Sequence, residues 1–364
     1  MHGIDVGDLK RACERLAEAA VDPATWPDVM SDICNSVGAV RAVLLQSDIR
    51  TPDVPRIAPI DLGIQRYFKD GWHQRDLRSR GVAFLQQDRK VITDQDVFTP
   101  EEMRRAPYFN ELIYESGLKW WAAVGFLAGS SSWVLSLQRT AEEGPFEEAE
   151  KRLLAPLSQR LTEVASLSTA VGRIALTSAL NALNAVCQPA IAIDRVGRVL
   201  DTNAAAEALF DEQICIRNRR LLVADARARS CLEKLIDQIR VTSDMAALPC
   251  ESVIISRQQK GPVIARCLPV HRAAQTPFLG ARALLILTTV EPKGGPKESL
   301  LSNTFGLTPA EAKVASIMAE GLNPERAAQQ LGISKATVRN QLRAVFAKTA
   351  THRQGELVAL LSRL

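Results

Sequence analysis

Histidine is scarce in this 364-residue chain. Its four copies (His2, His73, His271, His352) lie far apart and do not pair with acids or cysteines at ligand spacing. No metal site is readable from such a set. The seven cysteines (Cys13, Cys34, Cys187, Cys215, Cys231, Cys250, Cys267) are odd in number and scattered, with no C-x-x-C pair. They read as reduced, mostly buried thiols and point to a cytoplasmic protein. No run of eighteen apolar residues occurs, so no membrane span is expected. The first residues lack a basic-then-apolar leader pattern. Neither a Gly-x-x-x-x-Gly-Lys phosphate loop nor a Gly-x-Ser-x-Gly elbow is present. Catalysis therefore has no support in the sequence: no enzyme and no cofactor are expected.

The last sixty residues carry more information. Thr308, Pro309 and Glu311 form the opening of a helix: a capping hydroxyl, a proline at the first position and a carboxylate three residues after the cap. Val314, Ile317 and Met318 follow as an apolar stripe, and Gly321 is a left-handed stop. Asn323 and Pro324 start a second helix, which turns Ala327, Ala328 and Leu331 inward; alanine there lets two helices approach closely. Gly332 makes the tight turn. Ser334 caps a third helix, whose buried side is Val338, Leu342, Val345 and Phe346. Its other side shows Lys335, Thr337, Arg339, Asn340, Gln341, Arg343 and Lys348 and no acid. Two helices joined by a tight turn, the latter basic, are the layout that places a helix end in the major groove of DNA.

Charge distribution separates this from an ordinary solvated helical bundle. Residues 301–364 hold eight Lys/Arg against four Glu, a net +4. The whole chain, with 45 Lys/Arg and 41 Asp/Glu, is also +4. All of the excess positive charge sits on the segment that would meet phosphates. The run from Leu307 through the Ala-Glu-Gly-Leu, Ala-Ala-x-x-Leu-Gly-Ile-Ser and Thr-Val-Arg motifs to Glu356-Leu-Val resembles the four-helix DNA-binding domain of the LuxR/NarL/GerE family of bacterial transcription regulators. The resemblance covers about residues 303–363. It implies that Arg339, Asn340 and Arg343 touch bases, as arginine suits guanine and asparagine suits adenine through paired hydrogen bonds. Lys335, Thr337, Gln341 and Lys348 are expected on phosphates, where contacts position without reading. A fourth helix, from about Arg353 to Arg363, resembles the family's dimerising helix, although Thr349-Ala350 replaces the usual Leu-Gly.

Upstream, residues 291–302 read as a linker, with Pro292, Gly294, Gly295 and Pro296 interrupting any regular element. Between 171 and 290, alternating apolar residues around a turn at Asp194–Gly197 predict two strands. Asn203 caps a short helix, and a second helix runs from Arg229 to Ile239. Strands are expected at 252–256, 263–270 and 283–288. Two strands, a helical middle and three strands resemble a PAS domain, and the Ala-Ile-Ala-Ile-Asp-x-x-Gly-Arg-Val-Leu opening supports that. His271 reads as an ordinary histidine rather than a haem ligand.

Residues 1–170 open with helices at Leu9–Ala19 and Trp26–Val37. Strands are expected at 39–46, 121–127 and 133–138. A long amphipathic helix from Phe146 carries Leu153, Leu154, Leu157, Leu161, Val164 and Leu167 at helical spacing and continues toward 185. Packing on its own domain and pairing with a second copy are both open. The order is similar to GAF-type sensors and to the autoinducer domain that often precedes the same helix-turn-helix. That likeness implies a ligand pocket at Tyr67 and Asp76, nine apart, and the aromatics Tyr67, Trp72, Tyr108, Tyr114, Trp120 and Trp121 are candidates to line it. Leu77 replaces the family's proline, so acyl-homoserine lactones are not the expected ligand; the alternative is that these aromatics are core.

The expected architecture is a multidomain α+β pair of sensor domains, GAF-like (1–170) and PAS-like (171–290). A linker (291–302) joins them to an all-α four-helix helix-turn-helix domain (303–364). The expected partners are double-stranded DNA, a second copy of the chain, a small-molecule effector and RNA polymerase, with no membrane. A regulator that has lost DNA binding and acts through mixed dimers is the alternative.

Overall fold

The structure is a computed structural model that describes residues 4–47, 66–85, 89–241, 252–270, 276–290, 295–362 and 364. His2, His271 and Cys250 lie outside the described residues, as do linker residues 291–294. The chain divides into two compact units, Met1–Thr289 and Val290–Leu364.

In the first unit, helices α1 (Val6–Val21) and α2 (Trp26–Val37) lead into strand β1 (Arg41–Gln46). Helix α3 (Gly81–Leu85), strand β2 (Val91–Thr93) and helices α4 (Asp94–Val97) and α5 (Pro100–Arg105) follow, then a π-helical segment at Tyr108–Tyr114. Strands β3 (Trp120–Ala128) and β4 (Ser131–Arg139) complete an antiparallel sheet in the order β1-β4-β3-β2. Alternation splits its residues between two faces. Leu44, Leu135, Leu137, Ala122 and Val124 pack with α1 and α2 in one core, whereas Ile92, Trp121, Ala123 and Val134 pack on the other side.

Helix α6 (Glu148–Ala185) is continuous over 38 residues, so the boundary expected at 170 falls inside it. Its first half buries Leu154, Leu157 and Leu161 in the first core, and its second half buries Leu176 and Leu180 against the second sheet. The helix therefore packs on its own chain along its length. Leu153 and Leu167 remain exposed.

The second sheet contains β5 (Ala190–Asp194), β6 (Val199–Thr202), β9 (Val253–Ile255), β10 (Val263–Pro269) and β11 (Ala281–Thr289), in the order β6-β5-β11-β10-β9. With helices α7 (Ala204–Glu207) and α8 (Ala226–Val241) between β6 and β9, this is the PAS-like arrangement expected. Asn203 does two jobs at the turn: its Oδ1 accepts from the backbone N–H of Ala206 (2.9 Å) and of Ala190 (3.0 Å). The sequence reading missed a hairpin, β7 (Ile214–Arg217) and β8 (Arg220–Val223). Its turn residues Asn218 and Arg219 both have positive φ, at 50° and 58°. That is the two-residue turn that suits the twist of a hairpin, made here without glycine.

The second unit is helical: α9 (Glu298–Phe305), α10 (Pro309–Ala319), α11 (Pro324–Leu331), α12 (Lys335–Thr349) and α13 (Gln354–Leu361). Helix α9 occupies part of the segment expected as linker and ends at Gly306 (φ 63°). Its Leu301 is fully buried with Val314, Met318, Val338 and Leu357. One apolar residue with a partner surface outweighs the breakers that precede it.

Candidate nucleic-acid interface and sensor pocket

Three helices of the second unit, α10, α11 and α12, begin at a side chain that caps them. Thr308 accepts from the Glu311 N–H, while the Thr308 N–H donates to Glu311 Oε2 at 2.8 Å. Asn323 Oδ1 accepts from Arg326 N–H at 2.9 Å, and Ser334 Oγ from Thr337 N–H at 3.0 Å. Gly332, at φ 63°, ends α11 and lets Ile333 N–H return to the Ala328 carbonyl (3.1 Å). The two helices and their turn thus follow directly from the caps.

Helix α12 turns Val338, Leu342 and Val345 into the core. Arg339, Asn340 and Arg343 are exposed and, among the described residues, make no hydrogen bond or ion pair. Their polar ends are open toward solvent at a helix whose N-terminus carries no acid in its first turn. The residues expected on phosphates are less uniform. Lys335 pairs with Glu325 at the surface. Thr337 shares a hydroxyl hydrogen bond of 2.8 Å with Ser334. The Gln341 amide oxygen is buried without a partner, because position 341 flanks the apolar stripe. Lys348 donates to Glu311 Oε2 (2.7 Å) and to the Gly306 carbonyl (3.0 Å), tying the end of α12 to the start of α10. Its ammonium is thus engaged within the domain. Lys348 and its hydrogen bonds also hold Glu311 below the ordinary carboxylate range, with Thr308 contributing next.

A second candidate site lies in the first unit, on the face of the first sheet opposite α1 and α2. Directly opposed residues form rows across the strands: Arg41–Gln138–Trp121, and Val43–Ser136–Ala123. Arg41, Gln138, Trp121, Val43 and Ser136 of these rows, together with Tyr67, Asp76, Arg78 and Tyr108, border a cavity of about 70 Å³. The Tyr67 hydroxyl donates to Asp76 Oδ2 at 2.8 Å, so the two residues nine apart in sequence do meet. Asp76 Oδ1 accepts from the Arg78 N–H at 3.0 Å. Arg78 itself is buried and grips Asp94 with two bonds, Nε to Oδ1 at 3.0 Å and Nη2 to Oδ2 at 2.8 Å. Burial, and then the Asp76 charge, push the Tyr108 phenol well above its ordinary pKa.

Two of the expected pocket residues stand elsewhere. Trp72 is buried beside Tyr108 (ring centroids 6.3 Å apart), with the Arg75 guanidinium 4.0 Å above its ring. Trp120 is half-buried on the opposite face of β3 from Trp121, because a shift of one residue along a strand reverses the side-chain direction. Trp121 takes the pocket position and donates its Nε1–H to Ser136 Oγ at 2.9 Å. Sequence reasoning named Trp121 and Tyr108 among the candidate aromatics and missed Arg41, Arg78 and Gln138. The available signal was Arg41 itself, which shares a strand face with Val43 and Leu45 where an apolar residue belongs.

Residues 306–361 match the GerE family, described as bacterial regulatory proteins, luxR family. The C-terminal unit is therefore a LuxR-family helix-turn-helix domain, the DNA-binding part of a regulator. No curated protein matches the chain. Among solved structures, the chain is similar to the VqsR LBD domain of Pseudomonas aeruginosa, with 18% identity over 44% of this chain and 96% of that one, at a TM-score of 0.36. It is also similar to the phage VqmA–DPO complex (14% identity, 52% and 88% covered, TM-score 0.21) and to the Vibrio cholerae VqmA dimer (14%, 48% and 80%, TM-score 0.19). These likenesses are loose. Among the described residues no helix is long and apolar enough to cross a membrane.

Proposed function

We propose that this chain is a sequence-specific transcription regulator that binds double-stranded DNA as a homodimer, under the control of a small molecule sensed in the N-terminal unit. The observation that carries the reading is the free outer edge of α12. Arg339, Asn340 and Arg343 are exposed and unpaired on a helix whose cap, turn and core match a LuxR-family domain. In this reading Arg339 and Arg343 address guanine and Asn340 adenine. Lys335 and Thr337, near the helix start, approach phosphates. A dimer fixes the spacing of two half-sites, so a small rearrangement driven by ligand is enough to switch affinity. Bound at a promoter, such a dimer is placed to meet RNA polymerase. The parts that carry these roles are a GAF-like sensor and a PAS-like module that share α6, and the helical unit from Glu298 onward.

The test is genome-wide recovery of DNA fragments bound by the purified full chain at two salt concentrations. A recurring inverted repeat with steep salt dependence is the expected result. Absence of binding at both salts, from folded protein, would favour a regulator that works through mixed dimers without touching DNA.

A further inference from the structure

Three polar groups on the wall of the N-terminal cavity lack the partners that buried groups ordinarily have. Arg41 is half-buried on β1 and, among the described residues, makes no hydrogen bond or ion pair. Arg78 is 5% exposed; its bidentate grip on Asp94 uses Nε and Nη2 and leaves Nη1 buried with no partner. Gln138 is directly across the strand pair from Arg41, and its Oε1 is likewise buried and unpartnered. All three residues line the same cavity.

The acids nearby do not answer this need. Asp94 is held by Arg78. Asp76 already accepts from the Tyr67 hydroxyl and the Arg78 backbone. The charge of Arg41 is thus left without a counterion on the described wall. Desolvation lowers the pKa of its guanidinium, and the neighbouring charge of Arg78 lowers it further. Arginine does not give up its proton under such pressure. An anion lying between the two guanidiniums relieves both the repulsion and the missing hydrogen bonds.

We propose that this cavity binds a small carboxylate that also carries an N–H or O–H donor. Its carboxylate lies between the Arg41 guanidinium and Nη1 of Arg78, and its donor meets Gln138 Oε1. The inference rests on the sensor reading above and gives that sensor its ligand class. A planar carboxylate matches the guanidinium fork. The remaining wall, including Val43, Leu45, Leu85 and Ile92, is apolar, which makes a dianionic phosphate more costly to desolvate. At about 70 Å³ the cavity is less than half the size of an engineered apolar cavity that admits benzene, so the ligand is small and its tail short.

The experiment is titration calorimetry of the full chain with the smallest hydroxy acids, glycolate and lactate. Their methyl esters and inorganic phosphate are titrated in parallel. At least one acid is expected to bind, with its ester weaker by about tenfold or more, since esterification removes the charge. Arg41→Gln should abolish that difference while the thermal transition of the N-terminal unit is retained. Equal binding of acid and ester, no binding by either acid, or a preference for phosphate would each overturn the assignment. The comparison of acid with ester on the unaltered chain stands even if the variant fails to fold. DNA binding measured on the same preparation separates the two readings: a chain that binds its operator but no carboxylate loses only this ligand class.

Discussion

Replacing Arg339 with alanine isolates the reading of bases from the stability of the fold. The side chain is exposed on α12 and makes no hydrogen bond or ion pair among the described residues, so its removal breaks no contact of that kind. Alanine is the best helix former, and an exposed substitution of this type is expected within about 0.5 kcal/mol of neutral. At the interface the loss is larger. A bidentate contact to guanine discriminates by about 1–3 kcal/mol, which is roughly 5- to 150-fold in Kd. In a two-fold dimer the loss is taken at both half-sites, so the total is about 2–6 kcal/mol where the two act independently. Fluorescence anisotropy on a recovered operator, with competitors carrying single base changes, reads both affinity and preference. The Arg339→Ala chain should bind more weakly and accept changes at one symmetric pair of positions. Full affinity with unchanged preference would refute the placement of α12 in the groove.

Lys348→Met should lower the melting temperature of the C-terminal unit, by the equivalent of about 0.5–1.5 kcal/mol, and leave the salt slope of DNA binding unchanged. A slope reduced by about two, one for each protomer of the dimer, would return Lys348 to the phosphates. The partner of Lys348 adds a pH signature. The folded pKa of Glu311 is depressed, so its contribution is fully present above the ordinary value of 4.5 and is lost as pH falls through the lower, folded value. Acid titration of unfolding should show this loss in the parent and less of it in Lys348→Met. Gly197→Ala should destabilise the N-terminal unit by about 2–4 kcal/mol in denaturant titration: Gly197 has φ 75°, and an added Cβ would lie 2.6 Å from Ile236 Cδ1. Ala350→Gly should stabilise the C-terminal unit by about 1 kcal/mol, because Ala350 sits at φ 52°; a lower melting temperature would contradict the strain argument.

The helix-turn-helix was legible because its information is local. Thr308, Asn323 and Ser334 cap within three residues of themselves, and Gly332 acts on its own backbone. The same locality makes Ala350 visible as a departure, since it takes the left-handed position that the family fills with glycine. The pocket was half legible. Tyr67 and Asp76 are close in sequence and meet, whereas Arg41 and Gln138 are joined only by strand register. Trp120 and Trp121 show the limit: both are aromatic, and only the phase of the strand decides which one faces the cavity. The hairpin at Asn218-Arg219 was missed because its turn lacks the glycine that usually announces it. Helix α9 was missed because its neighbours are breakers and its one anchor, Leu301, needs a core to define it.

Phe278 explains why the two sheets of the N-terminal unit do not behave as separate beads. It belongs to the turn before β11, yet its ring stands edge-on to Trp26, Trp133 and Phe126 of the first core, at centroid distances of 5.6, 5.1 and 5.9 Å. Thr276, in the same turn, shares a buried hydroxyl hydrogen bond of 2.5 Å with Ser168 of α6. Arg195, from the β5–β6 turn, donates to the Pro277 carbonyl at 2.9 Å and lies over the Trp133 ring. Cutting the chain near residue 170 would therefore interrupt α6 and strip an aromatic partner from three rings at once. Composition and strand order suggest two modules here, but packing makes one body of them. Gln138 and Arg139 are adjacent on β4 and point to opposite faces. Gln138 borders the cavity, while Arg139 reaches Glu150 of α6 at 2.8 Å and the Val37 carbonyl at the end of α2. A displacement of β4 would strain that second set of bonds, because the same strand that borders the cavity is tied through Arg139 to the long helix.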